Sequence, residues 1–335
     1  MKKSINGIIL CISWVLNAQV ALPTFQAAQA TSKGLYSFSS HTFTHSGATG
    51  YNGPTLSNCK SAYGASWVDD TDFFNVQTQG IQEWTVPANG TYSFVLKGAS
   101  GGRGYTNGNA ANRGGYGSQV SGSIALTKGH VIKIVVGQKG TDSNGSSSCS
   151  SSSGGGGGGT FVYNSTTSTL LFAAGAGAGG ATRTTNPTIR DASLTTTGKT
   201  SEGTTGGAGG TNGGGGGVGG ACSSYGGAGG GGYSGSGTAG SSNQGNSPGG
   251  THFTSTAVGG NGGHRDGGFG GGGSSSYYAG GGGGGYSGGG GGGLPSCSCT
   301  ELASGGGGSS YDSTSNATIS LLSSSGHGQV TVTRS

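Results

Sequence analysis

The sequence predicts an all-β protein, a β-sandwich that carries a large insert of packed, glycine-rich polyproline II helices. Three observations predict this fold. Glycine supplies 84 of the 335 residues, and glycine is the poorest helix former after proline. The glycine is concentrated, with 61 of the 84 in residues 154–315. Short runs in which apolar and polar residues alternate flank this region, and such alternation is typical of strands.

Composition excludes several classes of protein. Charged residues make up 7% of the chain and the net charge is +5, which argues against a charge-driven disordered tail. The 6 prolines and the lack of a glycine at every third position exclude collagen. The 15 lysines and arginines are scattered, so no nucleic-acid partner is expected.

The N-terminus has the pattern of a secretory signal peptide. Lys2 and Lys3 precede an apolar run at residues 8–16, and Ala28-Gln-Ala30 fits a cleavage site. We therefore expect residues 1–30 to be removed and the protein to be secreted or displayed at the cell surface. The mature chain has no second apolar run of membrane length, so no membrane span is expected in it. An uncleaved anchor is the alternative.

Five cysteines would remain after that cleavage, namely Cys59, Cys149, Cys222, Cys297 and Cys299. An odd number leaves one thiol free or paired between chains. The Cys-x-Cys pair near residue 297 resembles half of a metal site, but no second pair completes it. We therefore expect disulfides in loops, with open connectivity, and no metal.

Residues 31–153 are predicted to form the first part of the sandwich. Apolar and polar residues alternate at residues 81–86 and again at 91–96, and the turn residues between them separate two strands. Residues 131–136 are the most β-prone run in the chain. A short helix is expected over residues 55–62, because Pro54 suits a position just inside a helix start.

Residues 154–315 are predicted to be the polyproline II insert, with one hairpin near residues 160–174. Its longest glycine runs each allow about two turns of a three-residue helix; they are residues 154–159, 213–217, 280–285 and 288–293. Because glycine has no Cβ, such helices can approach and hydrogen-bond to each other. Without that bonding the region would be a flexible linker.

Residues 316–335 are predicted to contain the closing strand of the sandwich. The alternating run at residues 329–333 needs a partner, and the N-terminal sheet is the obvious one. The glycine-rich region would then be an insertion into a single sandwich.

Stretches spread over residues 36–335 resemble one known family. They are residues 42–55, 59–63, 80–87, 91–92, 98–102, 134–140, 154–163, 171–175, 267–273 and 326–330. In this order they are similar to the glycine-rich extracellular domain of the anaplastic lymphoma kinase and leukocyte tyrosine kinase receptors. Trp84-Thr-Val-Pro87 and Gly326-His-Gly328 are the specific pieces, whereas glycine runs alone are not.

The resemblance implies a tumour-necrosis-factor-like β-sandwich with a polyproline II insert, in a region that binds small protein ligands in the receptors. This chain resembles a stand-alone secreted version, because it has no kinase. It also has Ser46 where the receptors usually place a cysteine, so Cys59 lacks that partner. The receptors' ligand-contact residues do not match positions here, so their ligand is not carried over.

Five tyrosines among the glycine runs are the candidate ligand-binding residues, namely Tyr225, Tyr233, Tyr277, Tyr278 and Tyr286. Tyrosine offers a large contact area with few rotatable bonds and a polar tip, which suits recognition. Capping of the ends of glycine helices is an alternative role.

No catalytic arrangement stands out, so no enzymatic activity and no cofactor are expected. His264-Arg-Asp266 spells a kinase triplet, but the other kinase motifs are missing. Asp69, Asp70 and Asp72 have a spacing that could bind calcium, although a solvated loop is the favoured interpretation.

The favoured functional hypothesis is a secreted, non-enzymatic recognition or adhesion module whose partner is an extracellular protein or glycan. The alternative is a structural coat or fibre protein that assembles through contacts between glycine helices.

Overall fold

The structure is a computed structural model that describes residues 34–106, 109–144, 153–181, 186–220, 225–242, 245–294 and 303–335. The expected signal peptide and Cys149, Cys222, Cys297 and Cys299 lie outside these residues. The described chain is mostly β-sheet with few helices, which confirms the predicted all-β class. No helix in the described part is both long enough and apolar enough to span a bilayer.

The strands in chain order are β1 (Ser40–Phe43), β2 (Phe74–Asn75), β3 (Ile81–Thr85), β4 (Gly90–Lys97), β5 (Gly104–Thr106), β6 (Asn109–Asn112), β7 (Ser118–Leu126), β8 (Val131–Val135), β9 (Thr160–Asn164), β10 (Thr169–Ala174), β11 (Gly240–Ser242), β12 (Gly245–Ser247), β13 (Tyr311–Asp312), β14 (Thr318–Leu321) and β15 (Gln329–Arg334). The helices are α1 (Leu56–Ala62), one 3-10 turn (Ser66–Asp69) and α2 (Pro187–Arg190).

Two antiparallel sheets enclose the main core. The first sheet has the order β1-β15-β4-β7-β14, and the second has the order β13-β10-β9-β8-β3-β2. Phe94 and Val330 from the first sheet pack in one cluster with Trp84, Ile132 and Phe172 from the second. Two short hairpins, β5-β6 and β11-β12, stand apart from both sheets.

Alternate side chains of β4 and β15 enter the core, because successive side chains on a strand point to opposite faces of the sheet. Tyr92, Phe94 and Leu96 on β4 are fully buried while their neighbours are not. Val330 and Val332 on β15 are likewise fully buried. Burial of one such side chain contributes roughly 1.5–3 kcal/mol. Because β15 lies between β1 and β4, the C-terminal strand is an interior strand of its sheet.

Helix α1 begins one residue later than the proline argument predicts. The N-cap is Thr55, whose hydroxyl accepts the Asn58 amide at 3.2 Å while the Asn58 side chain accepts the Thr55 amide at 2.9 Å. Pro54 therefore lies outside the helix and not in its first turn. The reciprocal capping pair is a sufficient start signal without it.

The glycine run at residues 280–285 hydrogen-bonds to three neighbouring segments in turn, with a period of three residues. Its amides donate, in order, from Gly280 to Ala303, Gly281 to Gly154, Gly282 to Ala228, Gly283 to Gly306, Gly284 to Gly157 and Gly285 to Gly231. Amides three residues apart thus bond to the same neighbouring segment, at carbonyls that are also three residues apart. These lateral bonds satisfy backbone groups that neither a helix nor a sheet would pair here.

The run at residues 154–159 follows the same rule. Its amides donate, in order, from Gly154 to Gly180, Gly155 to Thr141, Gly156 to Gly273, Gly157 to Gly177, Gly158 to Gln138 and Gly159 to Gly270. Two of its neighbours belong to the glycine-rich region and the third follows β8. This run therefore ties the glycine-rich region to the sandwich through backbone bonds.

These glycines are required for close approach and not for unusual dihedral angles. No glycine in residues 154–159 or 280–285 has a positive φ. A Cβ added at Gly283 would instead overlap the carbonyl oxygen of Ala176 and lie 2.9 Å from the Gly308 amide nitrogen. Because the obstructing atoms are backbone atoms, no side-chain rotation can relieve the overlap.

Two stacked histidines lie beside the segment that leads into β15. The rings of His45 and His327 lie 4.0 Å apart with an interplanar angle of 19°. The Lys139 amide donates to Nδ1 of His327 at 3.1 Å, so this nitrogen is unprotonated in the folded protein. Burial, together with His45 and Lys139, lowers the pKa of His327 to about 4.

We predict that Gly283→Ala lowers the free energy of unfolding by about 1–3 kcal/mol, the usual cost of overpacking. Gly64→Ala is the matched control, because a Cβ there meets nothing within 4 Å and its φ is not positive. That change is expected to stay within about 0.5 kcal/mol. Chemical denaturation measures both, and equal losses would contradict backbone-to-backbone packing.

Ending the chain at Gly326 removes β15 and opens the first sheet between β1 and β4. We expect loss of cooperative melting throughout the described chain, because the core would lose Val330 and Val332. Limited proteolysis with mass spectrometry would locate the cleavage sites. Cleavage confined to the glycine-rich region, with residues 36–140 intact, would show that β15 does not close the sandwich.

Stability is predicted to fall as pH drops from about 6.5 to about 4. Burial lowers the pKa of His41, His264 and His327 to about 4 in the folded protein, so the unfolded chain binds more protons across this window. Below about pH 4 this contribution stops changing. Urea midpoints across the window measure the slope, which His327→Gln should reduce. A flat profile down to about pH 4 would refute the assignment.

Candidate ligand-binding surface

The structure divides the five candidate tyrosines into two groups. Tyr233 and Tyr286 lie against the outer face of the second sheet. Tyr225 and Tyr278 lie elsewhere in the glycine-rich region, around a small cluster of buried apolar residues, and Tyr277 lies beside them. The sequence could not separate them, because all five stand in similar glycine-rich surroundings.

The first group belongs to a continuous row of aromatic rings. This aromatic row consists of Tyr311, Tyr286, Tyr233, Phe253 and Tyr163. The first three successive centroid distances are 4.5, 6.3 and 5.8 Å, with interplanar angles of 22°, 20° and 18°. Tyr163 then meets Phe253 at 5.6 Å and 58°. The four tyrosines are half-buried, so part of each remains accessible to a ligand.

Backbone bonds from the glycine-rich region hold the middle of the row. The Tyr233 amide donates to the Tyr286 carbonyl at 2.8 Å, and the Tyr286 amide donates to the Ser309 carbonyl at 2.9 Å. The Phe253 amide donates to Gly232 at 3.0 Å. These three rings are therefore positioned by hydrogen-bonded backbone and not by mobile loops.

Strands of the second sheet supply the ends of the row. Tyr163 lies on β9 and Tyr311 lies on β13. On β9, Phe161 and Tyr163 share the outer face while Val162 enters the sandwich core. Phe161 stacks on Phe253 at 5.0 Å and 28°. The second sheet is thus covered on both faces at β9 and β10, which explains why β10 is almost continuously apolar after Thr169.

Phe269 anchors this arrangement to the N-terminal half of the chain. Its ring is fully buried beside Gly53 and Gly80. A Cβ added at Gly53 would lie 2.7 Å from Cε1 of Phe269, and one added at Gly80 would overlap the ring. The two glycines therefore form a slot for the phenyl ring.

A cavity of about 220 Å³ opens at the Tyr163 end of the row. We name it the Lys133 cavity; it is lined by Thr78, Ile81, Lys133, Tyr163, Phe253, Thr254 and Ser255. Lys133 is the charged residue of its lining, and its Nζ lies 3.4 Å from Oε1 of Glu83 on the neighbouring strand. Aromatic faces, hydroxyl groups and one ammonium group thus meet in one recess.

Burial raises the pKa of Tyr233, and the neighbouring phenols of Tyr163, Tyr311 and Tyr286 act in the same direction. Tyr233 therefore stays protonated at neutral pH. Its ring stacks on Phe253 and Tyr286, while its uncharged hydroxyl keeps a donor and an acceptor.

The second tyrosine group packs among its own rings. Tyr225 meets Tyr278 at 5.0 Å and 75°, and Tyr277 stacks on His264 at 4.5 Å and 28°. Tyr277 and Tyr278 lie just before the glycine run at residues 280–285. This position is consistent with the alternative role of covering the end of a glycine run.

Sequence reasoning missed Tyr163, Phe253 and Tyr311 in the aromatic row, and Lys133 beside it. A usable signal existed for Tyr163, because period-two alternation places it on the same face as Phe161. Phe253 is an isolated aromatic residue in a polar stretch and has no periodic context. Lys133 joins the site only through the strand register, which pairs it with Tyr163.

In the described structure, both the kinase-like triplet and the acidic loop make hydrogen bonds to nearby backbone amides. In the His264-Arg265-Asp266 triplet, the Arg265 carbonyl accepts the Ser275 amide at 2.9 Å and a side-chain oxygen of Asp266 accepts the Gly262 amide at 3.3 Å. In the acidic loop, a side-chain oxygen of Asp70 accepts the Asp72 amide at 2.9 Å. Among the residues described, no three His, Cys, Asp or Glu side chains are grouped to hold a metal ion.

Cys59 forms no disulfide with any residue that the structure describes, and it is fully buried. Burial raises the pKa of its thiol to about 11, so the reactive thiolate is scarce at neutral pH. Within the described chain, Cys59 therefore behaves as a packing residue.

The chain is similar to part of a known receptor. The chain is 36% identical to the mouse leukocyte tyrosine kinase receptor over 101 residues, which is 30% of this chain and 11% of the receptor. No protein-family profile matches the chain. The match covers only a small part of the receptor, and it shows a distant relationship between this chain and that receptor.

Proposed function

We propose that the chain is a secreted or cell-surface recognition module without enzymatic activity, and that its ligand is an extracellular protein or glycan. The partial identity to a receptor supports an extracellular setting. The observation that carries the proposal is the aromatic row. Its four tyrosines are half-buried, and hydrogen-bonded backbone holds them in position. Rigid tyrosines give contact area at a low cost in conformational entropy.

The proposal includes the finer architecture that the sequence suggests. Polyproline II helices have three residues per turn and no internal hydrogen bonds. The three-residue period of the amides at residues 280–285 and 154–159 supports that geometry for both runs. The two antiparallel sheets and the interior position of β15 fit the tumour-necrosis-factor-like sandwich implied by the resemblance.

Assembly into a coat or fibre is the alternative, and the bonding of the glycine runs argues against it. Lateral assembly through glycine needs backbone donors that face a second chain. Every amide of residues 154–159 and 280–285 already donates within the chain. Mass in solution separates the two functions, since a recognition module is expected to be a monomer or small oligomer and a fibre protein to form polymers.

We predict that Tyr233→Leu abolishes ligand binding while the chain stays folded, because leucine keeps apolar volume but removes the stacking ring and its hydroxyl. The purified chain would be screened on arrays of glycans and of extracellular proteins, with melting recorded for each variant. Tyr278→Leu is the matched control from the second tyrosine group and should bind as the wild type does. Binding lost in Tyr278→Leu and kept in Tyr233→Leu would place recognition on the other surface.

A further inference from the structure

The Lys133 cavity is too small for most drug-sized ligands, whose pockets typically measure roughly 300–1,000 Å³. Its volume of about 220 Å³ suits one ring-sized group. Its walls come from strands β3, β8 and β9 on one side and from residues 253–255 of the glycine-rich region on the other. The recess therefore depends on the docking of that region onto the second sheet.

Two aromatic rings form an angled wall in this cavity. Tyr163 is half-buried, and its ring meets Phe253 at 58°. Phe253 is itself held between Phe161 and Tyr233 by stacking on both. A fixed aromatic face favours a ligand with a flat apolar side, and the C–H face of a pyranose ring is such a surface.

Three residues with side-chain hydroxyls line the cavity, namely Thr78, Thr254 and Ser255, and a hydroxyl both donates and accepts. The Thr254 hydroxyl already makes a 2.9 Å hydrogen bond with Nδ1 of His252. The amides of Thr254 and Ser255 are already used, donating to Tyr233 and His252 at 3.1 and 3.2 Å. Capture of a peptide carboxylate typically uses such amides, so the lining favours a hydroxyl-rich ligand.

Lys133 adds a positive charge beside these hydroxyls. Its Nζ lies 3.4 Å from Glu83, longer than the roughly 2.7–2.9 Å of a close charge-assisted bond. An ammonium group has three donors, so a single long contact leaves Lys133 able to bind an anion. Its side chain is 37% exposed, which leaves the group accessible to a ligand.

We propose that the Lys133 cavity binds one acidic pyranose, a sugar ring that carries a carboxylate, at the end of a glycan; this inference rests on the proposed recognition function. The carboxylate contacts the ammonium group of Lys133, the ring's C–H face packs on Tyr163, and its hydroxyls bond to Thr78, Thr254 and Ser255. Uronic and sialic acids share this chemistry.

The test is titration of the full chain with methyl β-D-glucuronide, methyl α-N-acetylneuraminide and the neutral control methyl β-D-glucoside, followed by calorimetry and saturation-transfer NMR. At least one acidic sugar should bind roughly tenfold more tightly than the glucoside, the effect of one charge-assisted contact. The acidic sugar that binds more tightly identifies the ligand as a uronic acid or a sialic acid. Equal binding of all three, or no saturable binding, would overturn the proposal.

Variants locate the interaction. Lys133→Gln should remove the tighter binding of the acidic sugar relative to the glucoside. Tyr163→Ala should abolish binding of the acidic sugars and of the glucoside. Glu83→Gln should strengthen acid binding by removing the competing carboxylate. Lys97→Gln on β4, in the other sheet, is the matched control and should change nothing. If a folded Lys133→Gln variant still binds the acidic sugar more tightly than the glucoside, the sugar carboxylate does not contact Lys133.

An acidic peptide serves as the competing probe. If it binds with the same dependence on Lys133 while the sugars do not, the cavity is a peptide site and the sugar inference fails although the recognition function stands. If the sugars bind but array binding is unaffected by Tyr233→Leu, the sugar site stands and the proposed role of the aromatic row fails.

Discussion

The missing Cβ of buried glycines is the constraint on which the rest of this structure depends. In residues 280–285, each amide reaches a neighbouring chain segment directly, and the space that a side chain would need is occupied by backbone. Stability in this half of the molecule therefore comes from satisfied backbone groups packed closely together, and less from apolar side chains. Ordering so many glycines is entropically costly, and the dense lateral bonding offsets that cost.

The glycine-rich region packs on the outer face of the second sheet. Its inner face meets the aromatic core of the sandwich, while its outer face meets single aromatic residues projecting from the glycine-rich region, above all Phe253 and Phe269. Because these two rings dock against the sheet and into the slot beside Gly53 and Gly80, the glycine-rich region has one fixed position on it. The aromatic row and the Lys133 cavity both lie along that junction.

Sequence reasoning reached the parts of the fold that follow from local periodicity. Alternation indicated that β4 and β15 are strands, and the glycine runs indicated close backbone packing. It could not place Phe253 or Phe269, since an isolated ring in a polar stretch carries no periodic signal. For the same reason it selected five tyrosines of which only Tyr233 and Tyr286 share the row, and it missed Lys133, whose neighbours are set by strand register.

The interior position of β15 determines when the sandwich can form. Its partners β1 and β4 lie near the start of the described chain, so the first sheet stays open between them until Gln329–Arg334 has been made. Contacts between residues so far apart in sequence slow folding, and open strand edges favour aggregation while they persist. A nascent chain would therefore hold β1 without a partner strand, and β4 paired with β7 alone, while the glycine-rich region is made, which leaves two strand edges open during that time.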